Sequence, residues 1–113
     1  MNDPILGMVG LAARAGSVIY GTEPALSKLK NGALLIVATD AGANTLRRIR
    51  NKTREAEVPV RLYSDKFTLG QSVGKNEKAV LLITDQNLGR AILKRIDACR
   101  GQAETEVTYG EIE

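Results

Sequence analysis

A chain of 113 residues suits one compact domain, and its 43% hydrophobic and 26% charged residues are typical of a folded globular protein. The 16 basic residues outnumber the 13 acidic ones, and the resulting net charge of +3 favours polyanionic partners. The absence of His excludes imidazole catalysis and histidine metal sites, one Cys excludes a disulfide within the chain, and 4% aromatic residues argue against rows of stacked aromatic side chains.

Helix-like and strand-like patterns alternate in the first half of the chain. Asn2 or Asp3 is placed to cap the first helix and Thr22 the second, because these side chains accept hydrogen bonds from free helix N–H groups. The run 34–38 is nearly all apolar, which predicts a strand buried on both faces. In chain order we predict a helix ending at Gly16, a strand over 17–20, a helix stopped by Asn31 and Gly32, and a strand over 34–38.

The same alternation continues in the second half, where Asn44 or Thr45 is expected to open the third helix and Pro59 to close it. Further strands are predicted over 60–63 and 79–83, and further helices over 65–73 and 87–99. Because a helix lies in most of the crossovers, the sheet is expected to be largely parallel, although the first short strand could run either way. These patterns predict an α/β domain built in layers.

The charge changes sign towards the end of the chain. No basic residue follows Arg100, whereas four acidic residues do: Glu104, Glu106, Glu111 and Glu113. We therefore predict one domain over 1–101 and an acidic tail over 102–113. The tail could be a solvated end that weakly masks the basic surface, or it could add an edge strand through Val107, Tyr109 and Ile112.

Features that would direct the chain to a membrane or out of the cell are missing from the sequence. The opening run MNDPILGMVG lacks the basic region and long apolar core of a secretory signal, and no stretch approaches the ~20 apolar residues of a membrane span. The lone Cys99 fits a reducing compartment, and we expect it to be a small buried residue rather than a reactive thiol. The expected protein is cytoplasmic and monomeric.

Motifs for catalysis and nucleotide binding are also missing, since neither G-x-G-x-x-G nor G-x-x-x-x-G-K-[ST] occurs. Asp40 and Asp85 follow the two central strands, where they could hold Mg²⁺ or accept a phosphoryl group, but capping of a helix accounts for both more simply. We therefore predict a non-enzymatic protein without a cofactor or bound metal. Phosphotransfer or Mg²⁺-dependent hydrolysis through Asp40 is the enzymatic alternative.

Three basic segments are candidates for contact with a polyanion. The third helix carries five cations within eight residues: Arg47, Arg48, Arg50, Lys52 and Arg54. The turn at 21–22 leads into a helix bearing Lys28 and Lys30, where Glu23 would repel an anion, and the loop GKNEK at 74–78 carries two lysines. Each segment could equally be an ordinary solvated helix face, capped turn or solvent loop.

Short motifs occur along the chain in a specific order and spacing. They are LAARAG at 11–16, GTE at 21–23, DA at 40–41 with NT at 44–45, VPV at 58–60, LG at 69–70 with VGK at 73–75, and TD at 84–85. Over 5–96 the chain resembles the bacterial YlxQ-like branch of the kink-turn-binding ribosomal protein superfamily typified by L-seven-Ae and L-thirty-e. The resemblance implies a three-layer α-β-α sandwich around a four-stranded mixed sheet, one end of which binds kink-turn RNA, a sharply bent duplex with sheared G·A pairs.

The resemblance also implies where RNA is contacted. The family's first contact segment falls on 21–27, where Glu23, Pro24 and Ser27 stand in place of the Asn-Glu pair and the Lys of archaeal and eukaryotic members. The second segment, which caps the bend of the RNA, falls on 73–79. Together with the basic candidates, the expected RNA-contact residues are Arg14, Gly21, Thr22, Lys28, Asn44, Arg47, Arg48, Gly74, Lys75 and Lys78.

The expected function is that of a non-enzymatic RNA-binding protein that recognises structured RNA. The resemblance implies kink-turn RNA or ribosomal RNA as the ligand and a ribosomal ribonucleoprotein as the setting. The alternative is a protein-interaction module, in which a stripe of Arg47, Arg50 and Arg54 docks on an acidic ribosomal or transcription component.

Overall fold

The computed structural model of the protein describes residues 3–101. Its elements in chain order are α1 (Pro4–Arg14), β1 (Val18–Tyr20), α2 (Thr22–Ser27), a 3₁₀ turn (Leu29–Asn31), β2 (Leu34–Val37), α3 (Ala43–Thr53), β3 (Val60–Leu62), α4 (Lys66–Ser72), β4 (Val80–Ile83) and α5 (Gln86–Gly101). The predicted acidic tail over 102–113 and the capping candidate Asn2 lie outside the described residues.

These strands form one mixed sheet in the order β1-β4-β2-β3. β2 and β3 are parallel, with Val37 beside Leu62, whereas β4 is antiparallel to both of its neighbours, with Val80 beside Val37 and Leu81 beside Tyr20. The mixed sheet is confirmed, and the expectation of a largely parallel sheet is wrong. The reason lies in α4, whose seven residues span only about 10 Å, so that the chain turns back and enters β4 at the end of the sheet where it left β3.

Helices cover both faces of this sheet, which confirms the three-layer α-β-α sandwich. Leu34 and Ile36 of β2 pack against α1, α4 and α5 on one face, while Leu35 and Val37 pack against α2 and α3 on the other. Successive strand residues point to opposite faces, and every residue of β2 and β4 is buried. The two central strands therefore need apolar residues at every position, which accounts for the unbroken apolar runs in the sequence.

Aspartates begin several of the helices. Asp3 opens α1, Asp65 opens α4 and Asp85 opens α5, each by accepting a hydrogen bond from a backbone N–H of the first turn. The capping roles predicted for Asp3 and Asp85 are confirmed. Asp40 also holds a helix start, but it accepts the Lys66 N–H at 2.9 Å and so stabilises α4 rather than the helix that follows it in the chain.

The starts of α2 and α3 differ from the prediction. Gly21 rather than Thr22 is the N-cap of α2, and Gly42 rather than Asn44 or Thr45 is the N-cap of α3. Neither glycine supplies a capping side chain. Sequence patterns favour polar caps over glycine, and for this reason they predict a later start for both helices than the structure shows.

Two further expectations about single residues are wrong. Pro59 does not close α3, which ends at Thr53, but lies directly before β3. Cys99 is exposed, since it lines an open groove together with Ile5 instead of packing in the core. Within residues 3–101, no helix is both long and apolar enough to cross a membrane.

Candidate functional site

Three strands end and one begins at the same end of the sheet, which we call the loop end. It comprises residues 21–23 after β1, 38–42 after β2, 63–65 after β3 and 73–79 before β4. Backbone hydrogen bonds join these segments, since the Gly21 N–H donates to the Val80 carbonyl at 3.0 Å and the Ala38 N–H to the Ala79 carbonyl at 2.8 Å. The two segments expected to contact RNA, 21–27 and 73–79, are therefore neighbours.

Glycines make two of the sharp turns of the loop end. Gly21 has a φ of 94° and Gly74 a φ of 73°, a region of backbone conformation that residues with a side chain rarely adopt. Gly21 lets β1 turn directly into α2. After Gly74, the Lys75 N–H donates to the Gly70 carbonyl at 2.9 Å, which folds the loop back onto the end of α4.

A groove opens at the loop end between the last turn of α1, the end of β1 and the loop after α4. We call it the basic groove, because Arg14 and Lys75 line it together with Tyr20 and Gly74, and none of its lining residues is acidic. The Lys75 ammonium lies 5.1 Å from the centroid of the Tyr20 ring, within the range of a cation–π interaction. Two positive charges beside an aromatic ring suit a phosphate group together with a neighbouring sugar or base.

The carboxylate of Glu23, at the start of α2, forms an ion pair with the Arg48 guanidinium on α3. The two side chains are 68% and 47% exposed, so water and salt screen the pair. On α3 itself, Arg47 donates to the Asn44 side-chain oxygen at 2.6 Å. Cations in the first half of α3 are thus partly engaged by neighbouring side chains, and the repulsion that Glu23 would exert on an anion is reduced.

The aspartates of the loop end bind backbone N–H groups. Asp65 accepts the Thr68 N–H at 2.8 Å and the Thr68 hydroxyl at 3.0 Å. These hydrogen bonds lower the pKa of the Asp65 carboxyl below its ordinary value, because they stabilise the ionised form. Across residues 3–101, no group of three His, Cys, Asp or Glu residues is arranged to hold a metal ion.

The structure brings six of the predicted site residues to the loop end, three to α3 and one to a separate groove. The loop end holds Gly21, Thr22, Gly74, Lys75 and Lys78 with Arg14 at its border, and α3 holds Asn44, Arg47 and Arg48. Lys28 lies at the far end of α2, in a different groove that it shares with Lys30 and Lys52. The six-residue length of α2 accounts for the separation, since Lys28 already lies beyond its last turn.

Two aromatic residues at the loop end were absent from the predicted site. Tyr20 is the last residue of β1 and contacts Lys75, and Phe67 is in the first turn of α4 with 57% of its surface exposed. A signal for each is present in the sequence: an aromatic residue directly before the Gly21 turn, and an aromatic residue two positions before the apolar Leu69 on a short helix.

Two curated relatives match most of the chain. The RNA-binding protein YlxQ of Enterococcus faecium is 30% identical over 94 residues, which cover 81% of this chain and 90% of the relative. The RNA-binding protein YlxQ of Bacillus subtilis (strain 168) is 28% identical over 92 residues, covering 80% of this chain and 92% of the relative. No protein-family model matches the chain.

Two solved structures share the fold. A protein of unknown function from Bacillus halodurans C superimposes with a TM-score of 0.80 at 30% identity, covering 85% of this chain and 99% of that one. The 15.5kD RNA binding protein of Giardia lamblia superimposes with a TM-score of 0.72 at 20% identity, covering 87% of this chain and 92% of that one. At this lower identity the second match concerns the fold alone.

Proposed function

The chain belongs to the YlxQ family of RNA-binding proteins, and we propose that it binds structured RNA through the loop end of its sheet without catalysing a reaction. The observation that carries this proposal is the basic groove, where Arg14, Tyr20 and Lys75 line one cleft beside the Gly21 turn. Nucleic acids are the polyanions that combine phosphate charge with aromatic bases, and the groove offers a complement to both.

Phosphate contacts supply most of the proposed affinity. Arg14 and Lys75 are exposed, so each can reach a phosphate oxygen and release the counterions bound there. Lys78, at the base of the same loop, adds a third positive charge, and its backbone lies beside α4, since its N–H donates to the Lys66 carbonyl at 3.1 Å. Binding of this kind weakens as the salt concentration rises.

We propose kink-turn RNA as the structured ligand. Support comes from the adjacency of the two family contact segments, because the Gly21–Val80 hydrogen bond places the start of α2 against the end of the loop over 73–79. At the start of α2, Glu23 pairs with Arg48 and Pro24 has no donor to offer a base. We therefore expect discrimination to depend on the bent shape of the RNA rather than on base reading by α2.

The proposed setting is a cytoplasmic ribonucleoprotein associated with the ribosome, in which the protein acts as a monomer. The family resemblance supports the ribosomal association, and a chain with Cys99 as its single cysteine is suited to a reducing compartment. We further propose that residues 1–101 suffice for RNA binding, with the acidic tail over 102–113 as a weak competitor for the basic groove.

The test compares the affinity of the full chain for a kink-turn hairpin with its affinity for a plain duplex of equal length, from about 50 to about 300 mM salt. We expect preference for the kink-turn RNA and a steep loss with salt. Arg14→Ala and Lys75→Ala are each expected to lower the slope of log affinity against log salt by about 0.7 to 1. The matched control is Arg90→Ala, an exposed cation near the start of α5 at the opposite end of the sheet.

Equal and weak affinity for the two RNAs would contradict the proposal of structured-RNA recognition. A reduction by Arg90→Ala as large as that by Lys75→Ala would contradict the location of the site, since it would mean that any surface cation contributes equally.

A further inference from the structure

Phe67 is an exposed aromatic side chain, whereas most large apolar side chains within residues 3–101 are buried or half-buried. It has 57% of its surface exposed, and among the described residues only Leu11, at 52%, is comparable. The two other described aromatic rings, Tyr20 and Tyr63, are partly buried and have partners within the protein. Leaving a Phe ring in water is unfavourable, so an exposed ring at a proposed binding surface is a candidate for contact with a ligand.

The position of Phe67 on α4 accounts for its exposure. Leu69 is fully buried against the sheet, and at 100° per residue Phe67 lies about 200° away, on the opposite side of the helix. The same geometry places Phe67 one turn before Gln71, which lines the basic groove. The Cα atoms of these two residues therefore lie about 6 Å apart along the helix axis.

Charges of both signs lie around Phe67 and roughly balance. Lys66 is its neighbour in the chain, and the Lys78 N–H donates to the Lys66 carbonyl at 3.1 Å, so two lysines lie by the first turn of α4. The carboxylates of Asp40 and Asp65 are also close, but each accepts a backbone N–H of α4, which offsets part of its negative charge.

We propose that Phe67 stacks on an unpaired base of the bound RNA, next to the phosphates held by the basic groove. This inference rests on the proposed RNA-binding function and adds a residue that selects RNAs with an unstacked nucleotide. An aromatic ring provides such selection because a base within a duplex has its faces covered, whereas an extruded base can stack on Phe. One ring is sufficient for one base, so the low aromatic content of the chain is compatible with this contact.

The experiment measures the affinity of Phe67 variants for the kink-turn hairpin and for versions in which each nucleotide of the bulge is replaced in turn by an abasic sugar. Phe67→Ala is expected to weaken binding of the intact hairpin by about tenfold, from the ~1–3 kcal/mol that stacking one base contributes. For one of the abasic hairpins the same substitution should make no difference, because the base that stacks on the ring is already gone.

Three control variants separate aromatic stacking from general apolar contact. Phe67→Trp should bind the intact hairpin as well as the wild-type protein does or better, whereas Phe67→Leu, which keeps an apolar side chain without a ring, should bind as weakly as Phe67→Ala. Leu11→Ala removes the other large apolar side chain that is exposed within residues 3–101 and should leave affinity unchanged. Thermal unfolding of each variant checks that the fold is kept.

Wild-type affinity in Phe67→Ala, with RNA binding intact, would overturn the stacking inference while leaving the proposed function in place. Full affinity in Phe67→Leu would also overturn it, because it would identify the contact as apolar packing of the kind that a protein partner makes. If the wild-type protein bound none of the RNAs, the proposed function itself would fail.

Discussion

At the scale of single residues, the backbone conformation of a glycine shapes the candidate site. Gly21 has a φ of 94°, and this backbone conformation alone makes a substitution unfavourable, since a Cβ would meet only Pro24 at an ordinary 3.6 Å. Gly7, in contrast, lies in the middle of α1 with helical neighbours and open space around it. The same substitution should therefore have opposite effects at the two positions.

We predict that Gly21→Ala lowers the free energy of unfolding by about 1 kcal/mol, because alanine is strained at this φ. Gly7→Ala should raise it by about 0.5 to 1 kcal/mol, because alanine favours the helix and restricts the unfolded chain. Urea unfolding of both variants measures the two changes. An unchanged or higher stability in Gly21→Ala would contradict the positive φ of the turn.

Asp65 gives a prediction about pH. Its pKa is lowered in the folded protein by the hydrogen bonds from Thr68, relative to an ordinary value of 3.8. Its contribution to stability is therefore fully present above about pH 3.8 and is lost as the pH falls through the lower pKa of the folded state. Asp65→Asn keeps a capping side chain that does not titrate.

Urea unfolding between about pH 2.5 and pH 6 should show that the wild-type protein loses stability relative to Asp65→Asn as the pH falls. Two parallel curves across this range would mean that the carboxyl has the same pKa in the folded and unfolded states, contrary to the hydrogen bonds at Thr68.

At the scale of elements, the ion pair between α2 and α3 adjusts the charge of the loop end. Glu23 and Arg48 are both exposed, so the pair contributes only ~0–1 kcal/mol to stability. Removal of the Glu23 carboxylate should nevertheless alter RNA binding, because Glu23 is the acidic residue nearest the Gly21 turn in the chain. We predict that Glu23→Gln strengthens RNA binding several-fold at low salt, with a smaller gain at high salt.

The salt dependence distinguishes this effect from a change of fold. Glu55→Gln, which removes an acidic side chain from the groove that contains Lys28, is the matched control and should change affinity little. If Glu23→Gln weakened binding instead, Glu23 would have to accept a hydrogen bond from the RNA, and a purely repulsive role for its carboxylate would be wrong.

Packing between α4 and the loop over 73–79 gives the second prediction at this scale. A Cβ on Gly70 would overlap the carbonyl of Asn76, so α4 and the loop approach each other backbone to backbone. We predict that Gly70→Ala destabilises the protein by about 1 to 3 kcal/mol and weakens RNA binding, because the loop that carries Lys75 must move. Urea unfolding and RNA titration of one preparation test both effects, and wild-type values in both would contradict the close approach.

Much of the element order could be predicted from the sequence. The unbroken apolar runs at β2 and β4 indicated buried central strands, and the aspartates before α1 and α5 indicated helix starts. The starts of α2 and α3 could not be predicted in the same way, because Gly21 and Gly42 begin these helices without a polar cap. The direction of β4 depends on how far α4 reaches, which is a tertiary property.

Parts of the candidate site depend on contacts that no local pattern contains. The Gly21 turn and the loop over 73–79 are more than fifty residues apart in the sequence, and only the antiparallel pairing of β1 and β4 brings them together. The Lys75–Tyr20 contact and the Glu23–Arg48 pair follow from that pairing and from the packing of α2 on α3. From its place in the sequence Lys28 is expected in the site. Because α2 is only six residues long, Lys28 lies beyond its end and lines a different groove.

At the scale of the whole molecule, the distribution of basic residues offers three surfaces to a polyanion. They are the basic groove at the loop end, the cations of α3, and the groove around Lys28, Lys30 and Lys52. We assign RNA to the basic groove because, of these three surfaces, it combines positive charge with an aromatic ring, is lined by part of the contact segment over 73–79 and adjoins the Gly21 turn. The triple substitution of Arg47, Arg50 and Arg54 should therefore leave kink-turn affinity within about threefold of wild type, with the slope of log affinity against log salt little changed.

Backbone amide NMR of the full chain, titrated with the kink-turn hairpin, tests the location of the RNA site most directly. We predict that the largest shifts fall on residues 20–23, 66–67 and 73–79, with small shifts over 28–31 and at the start of α5. The same residues should shift less with a plain duplex of equal length. Shifts centred on 28–31 and 52–56, or spread along α3 with the loop end unchanged, would contradict the assignment of RNA binding to the loop end.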